Sequence, residues 1–97
     1  MGLILHRLIQ NDLASVLAYY RREGGDELAV RFYAEFEHVL GLVTANPSRF
    51  HRVSQTVRRA NFPKFPHHLL YRETGRDVRV LVLRHHRRDP QYGTERR

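Results

Sequence analysis

The doublet Gly24-Gly25 constrains this chain more than any other feature, because it separates two stretches of helical period and forces them apart. Upstream, Leu13, Val16, Leu17 and Tyr20 fall at i, i+3, i+4 and i+7, one apolar face of a helix that Asn11 or Asp12 is expected to cap. Downstream, Asp26 is the expected cap of a longer helix whose stripe is Leu28, Ala29, Phe32, Phe36, Val39, Leu40 and Val43. Phe32, Phe36 and Tyr33 read as core packing rather than a ligand pocket. Asn46-Pro47 ends the second helix, since proline disfavours helix at the residue before it. A glycine turn this short folds the helices into an antiparallel hairpin, with both stripes available to one sheet.

The sheet must come from the rest of the chain. Residues 3–8 read as an opening strand, residues 57–60 as a second, residues 67–73 as a third and residues 78–84 as a closing strand. Residues 61–66 contain two prolines that cannot donate to a ladder, so they are expected to form a turn or an edge segment. Residues 74–77 form a hairpin turn. The order β-α-α-β-β-β predicts an α+β fold, a mostly antiparallel sheet with a helical hairpin packed on one face. One domain is expected over residues 1–92, followed by a flexible tail over residues 93–97. Without cysteine there is no disulfide framework and no cysteine metal site. No apolar run approaches membrane-spanning length and the N-terminal one is too short for a signal peptide, so the expected location is the cytoplasm, with no membrane partner.

Charge divides the chain. Residues 1–48 hold four arginines against six acids, net −2, whereas residues 49–97 hold thirteen bases against four acids, net +9. Only Lys64 among the seventeen bases is a lysine. Arginine's planar donor fork suits phosphate and carboxylate, so the basic half is suited to an anionic partner. The densest segment is Arg84-His85-His86-Arg87-Arg88-Asp89-Pro90-Gln91-Tyr92, directly after the strand pattern. By period two, Val78, Val80, Val82 and Arg84 should face the helices, with Arg79 and His85 on the open face. Arg58 and Arg59 must likewise point to opposite faces, so that one joins the basic surface.

Cleavage of RNA by its own 2′-hydroxyl needs a base, a cation beside the phosphate and an acid, but no metal or other cofactor. His85 or His86 suits proton transfer, while Arg58, Arg59, Arg84, Arg87 or Arg88 suits the phosphate and Tyr92 could stack on a base or assist a proton transfer. Lys64, Arg72 and Arg79 are further candidates for substrate contact. The histidine pairs His67-His68 and His85-His86 make poor metal sites, since neighbours on a strand point opposite ways. Asp89 is better placed to pair with Arg87 or Arg88, or to cap the turn at Pro90, than to act as a base.

Taken in order, these segments resemble the RelE/ParE superfamily of bacterial type II toxin–antitoxin toxins. The resemblance rests on the Asp12-Leu13 helix start with Tyr19-Tyr20, Phe36-Glu37 with Leu40 and Asn46-Pro47, and Arg58-Arg59-Ala60. It continues through Phe65-Pro66-His67-His68-Leu69-Leu70-Tyr71-Arg72 and Val80-Leu81-Val82-Leu83-Arg84-His85-His86-Arg87-Arg88-Asp89-Pro90. It implies a βααβββ fold and an antitoxin encoded by an adjacent gene; from charge, that partner should be acidic or amphipathic. RelE-like members cut mRNA in the ribosome, and by position Arg58 or Arg59, Arg72, Arg84, His85 or His86 and Tyr92 match their site residues. ParE-like members instead inhibit DNA gyrase without nuclease activity, and the Phe-Pro segment before Leu69 looks more like theirs. The terminal His/Arg/Tyr set tips the expectation toward a ribosome-dependent endoribonuclease. The alternatives are a gyrase inhibitor, a non-toxic basic nucleic-acid-binding module, and a degenerate member that keeps only the antitoxin surface.

Overall fold

The computed structural model describes residues 2–97. Strand β1 (Gly2–Leu5) leads into helix α1 (Ile9–Ala45), and a single 3₁₀ turn (Pro47–Arg49) leads on to strands β2 (Arg58–Asn61), β3 (His67–Thr74) and β4 (Asp77–His85). The sheet order is β1-β4-β3-β2, with β1 parallel to β4 and the other pairs antiparallel. This is the expected α+β architecture. The opening strand stops at Leu5, short of the expected Leu8, and Leu8 is the residue flanking α1.

The helical segment α1 breaks at Gly25, where φ is 78° and ψ is −177°, a region open essentially to glycine alone. The break turns one helix into two antiparallel arms. Tyr20 and Phe32 would lie about 18 Å apart along a continuous helix at 1.5 Å per residue. Their ring centroids are instead 5.4 Å apart. The arms bring Ile9, Phe32, Phe36, Val39 and Val43 against Leu69, Tyr71, Val78, Val80 and Leu83 on one sheet face, and these residues form the main core. Tyr33 is not part of it, since it stays 42% exposed at its position beside the stripe.

A bulge in β4 changes the face pattern. Leu70 pairs with Val82 and Tyr71 with Val80, so Leu81 is an extra residue opposite the Leu70–Tyr71 step. Beyond it the alternation is inverted relative to the sequence pattern. Leu81 and Val82 pack with Leu70, Val57 and Tyr92 on the open face, while Leu83 joins the core under the helices. The expectation that Val82 and Arg84 face the helices and His85 the open face is therefore reversed. An added residue flips every side chain after it, and the pattern alone does not reveal where that residue sits.

The C-terminal segment also differs from expectation. Residues 93–97 were expected to form a flexible tail, yet Gly93 and Arg96 are buried. Arg96 Nη1 donates to Asp12 Oδ2 at 2.7 Å and to the Leu81 carbonyl at 3.0 Å. Asp12 Oδ2 also accepts from the Leu83 amide at 3.1 Å. Strand β1 pairs with β4 only as far as Val80, and the Asp12–Arg96 pair takes up the backbone groups of Leu81 and Leu83 where strand pairing ends. Asp12 thus lies inside the helix, which begins at Ile9, and is not its cap.

Candidate functional site

The strands divide the basic residues between two faces. Arg58 pairs with Tyr71 and Arg59 with Leu70 across β2 and β3, so the two guanidiniums point to opposite sides. Arg58 is held on the helix face, with Nη1 on the Phe50 carbonyl at 2.6 Å and Nε 3.3 Å from Glu73 Oε1. Arg59 lies on the open face and meets a chain of imidazoles.

That chain has a fixed hydrogen-bond direction. Arg84 Nε donates to His68 Nε2 at 2.9 Å. A neutral His68 must then carry its proton on Nδ1, which lies 2.9 Å from His86 Nδ1. His86 Nδ1 also accepts from Arg59 Nη2 at 3.1 Å. A guanidinium can only donate, so arginines at both ends assign the tautomers between them. His86 therefore carries its proton on Nε2 and faces outward with a donor, not a lone pair. The two rings lie edge to edge and nearly coplanar across this bond, with centroids 5.1 Å apart.

The same surroundings keep both rings neutral. Burial, then Arg59 and Arg84, lower the His68 pKa to about 3. His86 is also lowered, by burial first and then by Arg59 and His85. Acting as a base at Nε2 would require His86 to move its proton to Nδ1, against the donors of Arg59 and His68. A compensating shift in His68 would set an N–H against Arg84 Nε. The arrangement offers hydrogen-bond donors and positive charge, and it resists proton uptake.

The remaining candidates are dispersed. His85 lies on the helix face, 5.0 Å centroid to centroid from His67, and its Nδ1 accepts from the Arg87 amide at 2.9 Å. Tyr92 donates from its hydroxyl to Asp12 Oδ1 at 2.6 Å, and that bond is the largest cause raising its pKa. Arg84 Nη1 reaches the Pro90 and Tyr92 carbonyls at 2.9 and 3.0 Å, tying down the C-terminal turn. Arg87 and Arg88 are exposed on that turn, where the Arg88 guanidinium lies 4.0 Å from the Tyr92 ring centroid. Asp89 Oδ1 accepts from the Gln91 amide at 2.9 Å, capping the turn. Lys64 sits apart, beside α1, where its amide donates to Glu35 Oε2 at 2.9 Å. Arg72 and Arg79 face each other across β3 and β4 on the open side.

Of the expected set, Arg59, Arg84 and His86 come together, and His68, which is not among the expected site residues, joins them. Its signal was available: period two places His68 on the same face as Leu70 and Arg72. Asp12 and Arg96 had no such signal, being 84 positions apart in the chain. Among the described residues no group of three or more His, Asp or Glu side chains is arranged to hold a metal, and no helix is long and apolar enough to cross a membrane.

Comparison with known proteins bears on the fold and the family. No curated protein matches the chain. Among solved structures, one described as the chromosomal ParDE TA system from P. aeruginosa aligns with a TM-score of 0.78, covering 88% of this chain and 95% of that one. At 19% identity it shows the fold alone. A family model, the ParE toxin of the type II toxin–antitoxin system parDE, matches residues 3–90. The chain belongs to the ParE toxin family of type II toxin–antitoxin systems, within the RelE/ParE superfamily.

Proposed function

We propose that this toxin arrests growth by binding and inhibiting DNA gyrase, rather than by the RNA cleavage that its terminal His/Arg/Tyr set first suggests. The observation carrying this reading is the locked tautomer of His86, whose Nδ1 is taken by Arg59 and His68. Three other catalytic candidates are engaged elsewhere. Arg58 is bound on the opposite face, Arg84 holds the C-terminal turn, and Tyr92 is bonded to Asp12. A general base must offer a lone pair within reach of the proton it abstracts, and the exposed nitrogen of His86 offers none. A basic, donor-rich face suits recognition of an acidic surface instead.

Membership of a type II system implies an antitoxin partner. We infer that its binding segment is acidic and covers the open face, because Arg59, Arg72, Arg79 and Arg84 form no ion pair among the described residues. The test is a paired assay with the purified chain. Plasmid supercoiling by gyrase should fail while mRNA on translating ribosomes stays intact. Cleaved transcripts with normal supercoiling would overturn the proposal and return the ribonuclease reading.

A further inference from the structure

A cavity of about 410 Å³ opens on the same sheet face, walled by Val53, Ser54, Thr56, Val57 and the C-terminal turn. Four arginines line it, Arg72, Arg84, Arg96 and Arg97, and no acidic side chain does. Its floor is apolar, made of Leu70, Leu81 and Val82. The bulge creates this floor, because it places both Leu81 and Val82 on the open side.

Two features of the walls call for an anion. Arg96 is only 7% exposed, yet its Nε has no hydrogen-bond partner, and the buried Nε of Arg72 has none either. Buried donors without acceptors leave uncompensated positive potential in the walls, which a negative charge in the cavity would offset through space. Arg72 also stands directly opposite Arg79 in the β3–β4 register, a like-charge pair that is unfavourable unless a counter-charge lies nearby. Asp12 supplies one negative charge, but Arg96 already takes both of its oxygens.

We propose that this cavity binds a phosphate monoester with a flat organic body, of the size of a nucleoside monophosphate. The charge balance favours a dianion over a carboxylate, since four guanidiniums face only one engaged acid. The volume lies within the range of small-ligand pockets, roughly 300–1,000 Å³. Leu70, Leu81 and Val82 would carry the base, and Arg72 would grip the phosphate through its terminal guanidinium nitrogens.

The test is calorimetric titration of the full chain with adenosine monophosphate, inorganic phosphate and adenosine in separate arms. The nucleotide should bind saturably and about tenfold or more tighter than either fragment, since base and phosphate each contribute. Arg72→Gln should weaken it about tenfold. Arg31→Gln removes the same charge from the helix side of the sheet, outside the cavity lining, and should change affinity less than about twofold. Equal binding of phosphate and nucleotide, equal losses in the two variants, or no saturable binding would each overturn the assignment. Circular dichroism confirms that both variants are folded, and gyrase inhibition, measured separately, reports on the toxin reading alone.

Discussion

Two His-His pairs, at positions 67–68 and 85–86, lie on neighbouring strands and meet very different fates. One member of each goes under the helices, where His67 and His85 stand edge to face. His67 is also packed against Phe32 at 4.9 Å, and its Nδ1 has no hydrogen-bond partner. The other members, His68 and His86, lie on the open face, edge to edge and bracketed by Arg84 and Arg59. Both environments suppress protonation, but by different means. Burial dominates at His67, with His85 and His86 contributing, and brings its pKa to about 4. At His68 burial is joined by two permanent cations. Identical dipeptides thus become core on one side and a fixed donor array on the other.

The largest expected effect breaks the frame of the open face. Asp12→Ala leaves Arg96 buried without its partner and should cost about 3–5 kcal/mol in chemical unfolding. Adding Arg96→Met to that variant should recover most of the loss, as removing a whole buried pair is far less costly than breaking it. Failure of the double variant to recover would mean that the pair's bonds to Leu81 and Leu83 matter more than its charges.

The helix side is tested next, through the turn that lets the arms cover it. Gly25→Ala forces a side chain into a glycine-only conformation and should cost about 1–3 kcal/mol by the same measurement. A neutral outcome would show that the arms can meet with Gly25 in another geometry. Gly93 marks the corresponding close approach on the open side, since a Cβ there would collide with Val82.

Acid should separate the two faces more finely. His67 and His68 have folded pKa values of about 4 and about 3, both below the unfolded value of about 6.5. The unfolded chain therefore takes up protons first. The stability from these neutral rings is fully present above about pH 6.5 and is lost progressively as pH falls toward the folded values. His67→Phe should flatten unfolding free energy against pH by about one proton between about pH 6.5 and about pH 4. An unchanged slope would assign the acid sensitivity to other groups.

The smallest effect is expected at the residue that looks most catalytic. His86→Gln should leave growth arrest undiminished, scored by colony formation after induction without antitoxin. A loss of arrest with normal folding would show that the exposed imidazole is needed and would revive the proton-transfer role.

The helical hairpin was legible because its cause is local. Two apolar stripes at helical spacing and one glycine doublet suffice to predict it, and Tyr20 against Phe32 shows the result. The succession of strands along the chain and the division of Arg58 from Arg59 were legible for the same reason, since period two is a property of neighbouring residues. The site was legible only in part. Period two carried along β4 gave the right faces up to Val80 and the wrong ones afterwards, because the bulge at Leu81 depends on how β3 and β4 close.

By itself, then, the sequence determined an α+β fold with a basic C-terminal half and supplied the histidines and arginines of the open face. Only the tertiary structure decided which of them meet. The bulge sent Arg84 to His68 and His85 under the helices, and the Asp12–Arg96 pair ordered a tail whose composition reads as flexible. Such contacts join residues up to 84 positions apart, and their energies depend on burial and on partners that no local pattern encodes.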